Sequence, residues 1–164
     1  MIIHRRTDWT QNMSIQRWCV IGWLILFFSS ILYSQEQKPF VVLRSADAKV
    51  FKNLCSRTGL PKFDSAWQPS EGDIRTMESR LSRISLLQEK QRNVKIEHPE
   101  QYFRQYVGII LGKRKLIYIN AFCIAVTSWR QRGVNVCDGG NCFWGVLYDS
   151  ETHEFSDLNV NGNA

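Results

Sequence analysis

The chain has 164 residues, 44% hydrophobic and 22% charged, with a formal net charge of +6. That length suits one ordinary globular domain, and the apolar content excludes an intrinsically disordered protein. Beyond residue 34, 18 Lys+Arg stand against 14 Asp+Glu, a thin excess without the dense basic stripe of a nucleic-acid binder, so no nucleic-acid partner is expected.

The run from Trp18 to Tyr33 has no charged residue and follows Arg17, the order of the basic and apolar regions of an export signal. As a helix it would reach ~24 Å, short of the ~30 Å hydrocarbon core of a bilayer. A cleaved signal peptide therefore fits slightly better than a permanent anchor. Leu32-Tyr33-Ser34 offers a cleavage point before Gln35, with a small residue last but a bulky one third from last. Residues 1–34 are read as a signal peptide or an N-terminal membrane anchor, in which case residues 18–33 contact the membrane. Either way residues 35–164 lie outside: periplasmic, extracellular or tethered to the membrane. Met13 opens MSIQRW and is a second candidate start. Arg5-Arg6 precede Thr7-Asp8 where a twin-arginine signal wants an apolar pair, and Cys19 opens the apolar run, unlike a lipid-modified cysteine.

Residues 35–69 read as a linker, a short strand from Phe40 to Leu43 and a short helix over Ala46 to Leu54, stopped by Gly59 and Pro61. Trp67 falls in a loop stiffened by Pro69. Residues 70–164 read as the core. Ser70 and Asp73 have capping-box spacing, and Ile74, Met77, Leu81, Ile84 and Leu87 make one apolar stripe that predicts a long helix ending at Lys90 and Arg92. Strands follow at Tyr102 to Leu111, Leu116 to Val126, Val134 to Cys137, Phe143 to Tyr148 and Phe155 to Val160. The expected fold class is α+β: one long amphipathic helix packed on a four- to five-stranded antiparallel meander.

Cys55, Cys123, Cys137 and Cys142 remain outside the export segment, an even number that reads first as disulfides. A hairpin loop over Asp138-Gly139-Gly140-Asn141 would pair Cys137 with Cys142 and leave Cys55 for Cys123. Free buried thiols are a second reading. A four-cysteine zinc site normally needs two close pairs, which this spacing lacks, so neither metal nor cofactor is expected.

The candidate binding site joins that loop to Trp144 and Tyr106. Two glycines permit positive φ and leave amides accessible to an anion or partner, although the same residues make an ordinary turn. Trp144 beside Phe143, and Tyr106 with Tyr102 and Phe103, would form an exposed aromatic strip unless the second sheet face is covered. Lys113, Arg114 and Lys115 with Arg130 and Arg132 would make a basic end of the sheet, or simply protect edges. Catalysis has one route, Cys137 or Cys142 with His153, which a disulfide would abolish. His98 precedes Pro99 in a loop, and Asp149, Glu151, Glu154 and Asp157 lie where turn acids lie.

Val134 to Gly140, Phe143 to Asp149 and Asn161 to Ala164, with Arg104 to Gly108 and Tyr118 to Phe122, resemble a group of uncharacterised exported bacterial proteins. The resemblance covers residues 102–164 and implies an envelope setting with no activity to carry over. A helix on an antiparallel sheet is also the outline of cystatin-like inhibitors. Their Q-x-V-x-G loop is matched only imperfectly at Gln105 to Ile109, where glycine comes one position early, and their Pro-Trp pair is missing. The functional expectation is a non-enzymatic envelope domain that binds a protein or surface polymer. The alternatives are the cysteine-dependent enzyme and a purely structural, membrane-tethered domain.

Overall fold

The computed structural model describes residues 39–163, within the second of two compact units, Lys38–Ala164. Residues 1–34, read above as an export signal or anchor, with the apolar run 18–33, Met13 and Cys19, lie outside the described residues. Among the described residues no helix is long and apolar enough to cross a membrane.

Strands β1 (Phe40–Val42), β2 (Ser65–Trp67), β3 (Phe103–Leu111), β4 (Arg114–Phe122), β5 (Phe143–Asp149) and β6 (Phe155–Val160) form one sheet. β3 to β6 pair antiparallel in chain order. β1 runs parallel to β3 at Arg104 to Tyr106, and β2 antiparallel to it at Gly108 to Ile110. The α+β class stands, but the sheet is mixed and six-stranded instead of an antiparallel one of four or five. The two short strands share one edge of β3. Trp67 belongs to a strand, not a loop, because Gly108 lets it lie across β3: a Cβ there would sit 2.5 Å from Trp67 O. The indole Nε1 donates to Ile109 O at 3.1 Å and Leu116 O at 3.2 Å.

The long helix divides. Helix α1 (Glu71–Glu78) starts at the expected capping box, with Asp73 N donating to Ser70 Oγ and Ser70 N to Asp73 Oδ2. It ends at Ser79, and a 3-10 helix runs from Leu81 to Leu86. The apolar stripe explains the change. After the step from Met77 to Leu81, Leu81, Ile84 and Leu87 recur every third residue, the period of a 3-10 helix. Ser79 Oγ and Ser85 Oγ bond carbonyls three residues back, drawing backbone acceptors away from α-helical pairing.

Both faces of the sheet are covered. Ile74, Met77, Leu81 and Ile84 pack on Tyr106, Ile117, Ile119, Trp144, Val146 and Tyr148. On the opposite face Ala48, Phe51 and Leu60 cover Val107, Ile109, Tyr118 and Leu147. At one end of that face Trp129 and Val134 cover Phe122 and Phe143. Period-2 alternation thus serves two cores. The expected strand at Val134 to Cys137 is instead irregular chain packed over β3 and β4.

The disulfides join Cys55 to Cys137 and Cys123 to Cys142, with Cα separations of 5.3 and 4.9 Å. This corrects the expected pairing. Phe122 and Phe143 are ladder partners, so the next residues outward, Cys123 and Cys142, face each other. Asp138, Gly139 and Gly140 all have positive φ, at 65°, 84° and 54°, and they curl the loop toward Gly162 instead of closing a hairpin.

The β5–β6 turn is organised by Asp149. Its Oδ2 accepts from Arg114 Nε at 2.8 Å, and its Oδ1 from the amides of Glu151 and Thr152. Burial pushes this carboxyl up, but the Arg114 bond, the two amides and the Arg114 charge outweigh it and leave the acid below its usual value. A depressed folded-state value contributes stability above the unfolded value of about 3.9 and loses it as pH falls through the folded one. Asp149→Asn is therefore expected to cost about 1–3 kcal/mol at pH 7 and to flatten the fall in stability below about pH 4, both read from urea unfolding at several pH values.

Candidate functional site

β1 carries Phe40 and Val42 toward α1, since alternate residues of a strand share a face. α1 sets Glu71, Arg75 and Glu78 along the opposite wall, at spacings of three and four that share one helix side. With Pro69 and Ile74 these residues line a groove of about 600 Å³, within the range of ligand and peptide sites.

Glu78 is held from below. Arg104, only 2% exposed, donates from Nε to Glu78 Oε1 at 3.3 Å and from Nη2 to Oε2 at 3.2 Å. Tyr106 donates its hydroxyl to Glu78 Oε1 and accepts from Arg104 Nε at 2.8 Å. Arg104 Nη1 faces the carbonyls of Pro99, Glu100 and Tyr102. A buried guanidinium needs a counter-charge and hydrogen-bond acceptors of this kind. Burial first, with the Glu78 charge and bond adding to it against the opposing pull of Arg104, raises the Tyr106 phenol well above its usual value, so it stays a hydrogen-bond donor. The result is a fixed carboxylate in an otherwise largely apolar groove.

Tyr106 and Trp144 are both 0% exposed, so of the two readings the covered sheet face holds and the exposed strip does not: covered on their face by α1 and the 3-10 helix, the two site candidates cannot present a surface. Tyr102, half-buried, packs edge-on against Trp144 and bonds Asn141 O at 3.2 Å. The Asp138 to Asn141 loop does not meet Tyr106. Its Gly140 amide donates to Gly162 O, the Cys142 amide to Gly139 O, and Asp138 Oδ1 accepts from Ser56 Oγ. Those contacts tie the loop to the chain on either side.

That clamp continues inward as a polar chain. Arg57 donates to Asn161 Oδ1 and Asn120 Oδ1. Asn120 Nδ2 donates to Gln105 Oε1 and Val134 O, each at 2.9 Å. Gln105 Nε2 donates to the carbonyls of Trp129 and Arg132. Buried amides satisfied in this way lay the irregular segment after β4 onto the sheet.

The proposed catalytic pair does not form. Cys137 and Cys142 are both in disulfides and offer no thiolate, while His153 Nδ1 meets the Tyr148 hydroxyl at 2.8 Å. His98 is exposed beside Glu100. The basic residues do not gather into one end of the sheet. Arg114 pairs with Asp149 and Lys115 lies over Trp67 at the β3–β4 turn. Arg130 is at the other end of β3, over Trp129 and within reach of Phe40 O. Among the described residues no His, Cys, Asp and Glu group is arranged to hold a metal.

Glu78, Arg75, Arg104, Phe40 and Val42 went unread as site residues. One clue was present: Arg104 lies two residues from Tyr106 on the same strand, so a core-facing Tyr106 implies a core-facing Arg104 that requires an acid. Compared with known proteins, the chain matches no family model, no curated protein and no solved structure, so the reading of its function rests on these side chains.

Proposed function

We propose that this is an exported, non-enzymatic binding domain of the bacterial envelope that takes a segment of a protein partner in the groove between β1 and α1. The observation that carries the reading is the groove itself: half-exposed Phe40 and Val42 beside Ile74, framed by Glu71, Arg75 and Glu78. Apolar walls with a few oriented charges favour recognition over chemistry. Two disulfides suit an oxidising compartment and remove the thiols on which the enzymatic alternative depends.

A photo-cross-linking residue placed at Arg75 is expected to yield discrete protein adducts in intact cells, whereas the same residue at Glu151, on the β5–β6 turn and not among the groove's lining residues, yields none. Both positions are exposed, so folding is little affected. Absence of adducts from position 75, or the same adducts from both positions, would remove the groove as the contact surface and favour a purely structural domain.

A further inference from the structure

The pairing of β1 with β3 leaves a hydrogen-bonding edge beside the groove. Arg104 N donates to Pro39 O, and Leu43 N to Tyr106 O. In a parallel ladder alternate residues face the same neighbour, so Pro39, Val41 and Leu43 address β3 while the amide and carbonyl of Val42 point away from it. The Phe40 carbonyl on that side accepts from Arg130 Nη1. No bond from another described residue covers Val42, whose side chain lines the groove.

The groove is also biased in what it offers. Glu78 Oε1 accepts two bonds, from Tyr106 and Arg104, but Oε2 accepts one, and the side chain is 23% exposed. A carboxylate oxygen has room for two donors, so one acceptor position on Oε2 is left. Arg104 offers little in return, because it is 2% exposed and each of its nitrogens already meets Glu78, Tyr106 or one of three carbonyls. The charged side chains lining the groove are two carboxylates, Glu71 and Glu78, and one guanidinium, Arg75.

We infer that the groove takes an extended peptide segment carrying a basic side chain, which adds as a strand to the edge of β1 at Val42 and sets its ammonium against Glu78 and Glu71. This deepens the reading above and rests on the groove being the contact surface. Strand addition draws affinity from main-chain bonds and specificity from alternate side chains. An apolar residue two positions from the basic one, on the same face of the added strand, meets Phe40, Val42 and Ile74. Arg104 holds the carboxylate in place before binding, so little order is lost when the cation arrives.

The test titrates the full chain, ¹⁵N-labelled and in mild detergent, with acetylated and amidated five-residue peptides that carry Lys at the centre and apolar residues two positions to either side. One control replaces Lys by Glu, and another methylates a central backbone amide. The lysine peptide is expected to shift the amides of Val42 and α1 and to bind about tenfold tighter than the glutamate peptide. Backbone methylation abolishes binding, and Glu71→Gln weakens the lysine peptide about two- to threefold. Equal binding of the lysine and glutamate peptides, or unchanged binding after methylation, overturns the inference. So do β1 shifts that grow with protein concentration alone, which identify a second copy as the occupant. If no peptide moves the Val42 or α1 amides, the inference falls. The groove reading survives that result only where cross-links from position 75 persist.

Discussion

Replacing Cys55 and Cys137 together by serine is expected to lower the unfolding free energy by about 4.5 kcal/mol. The bridge spans 82 residues, and constraining a loop of that length removes denatured-state entropy worth about that much in the chain-entropy description. The Cys123–Cys142 bridge spans 19 residues, and its removal is expected to cost about 3 kcal/mol. Both bridges fasten irregular chain rather than regular ladder. Without them the segment after β4 depends on the polar chain from Arg57 through Asn120 to Gln105 and on the packing of Trp129 and Val134. Guanidinium unfolding of the two double variants against the oxidised protein measures the difference. Losses of under about 1 kcal/mol from both would mean that the denatured chain is already restricted. Peptide mapping of the oxidised protein with trypsin and an Asp-directed protease should recover Cys55 linked to Cys137. A Cys137–Cys142 peptide would refute the connectivity.

Glu78→Ala is expected to cost about 3–5 kcal/mol, far more than an exposed acid would, because it leaves the Arg104 guanidinium buried without its counter-charge. Arg104 is 2% exposed, and its remaining partners would be three carbonyls and the Tyr106 hydroxyl. Removing both charges with Glu78→Gln and Arg104→Met should recover much of that loss, since an apolar side chain of similar length carries no desolvation cost. Urea unfolding of Glu78→Gln, Arg104→Met and the double variant gives the coupling between the two. If the double variant lost as much stability as the two single variants added together, the pair would be uncoupled and the fixed carboxylate in the groove would lose its support. For that reason Glu78 is a poor probe of binding, and Glu71 and Arg75 carry the binding tests.

The regular elements were largely legible because they depend on neighbours in sequence. The strand from Phe155 to Val160, the β3–β4 turn at Gly112 and the start of α1 at Ser70 follow from alternation, a glycine with φ of 62° and a local capping box. The end of the helix was written in the stripe, where spacings of three replace four after Leu81, but a mixed three-four pattern fits either helix type until packing selects one. The cysteine pairing depended on ladder register, which sequence distance does not encode.

The candidate site was nearly illegible. Tyr106 and Trp144 have the composition of a binding strip, and only the covering of both sheet faces makes them core. Gly139 and Gly140 have the composition of an anion cradle, yet contacts with Gly162 and Ser56 close the loop on its neighbours. The groove draws its walls from residues about thirty positions apart, and its buried arginine comes from a third element. Local chemistry in the chain thus determined the α+β class, the even set of cysteines and the places where strands and helix begin. Tertiary structure alone decided which cysteines bond, which aromatics are hidden and where a carboxylate is held by a buried arginine, because each depends on contacts between residues far apart in the chain.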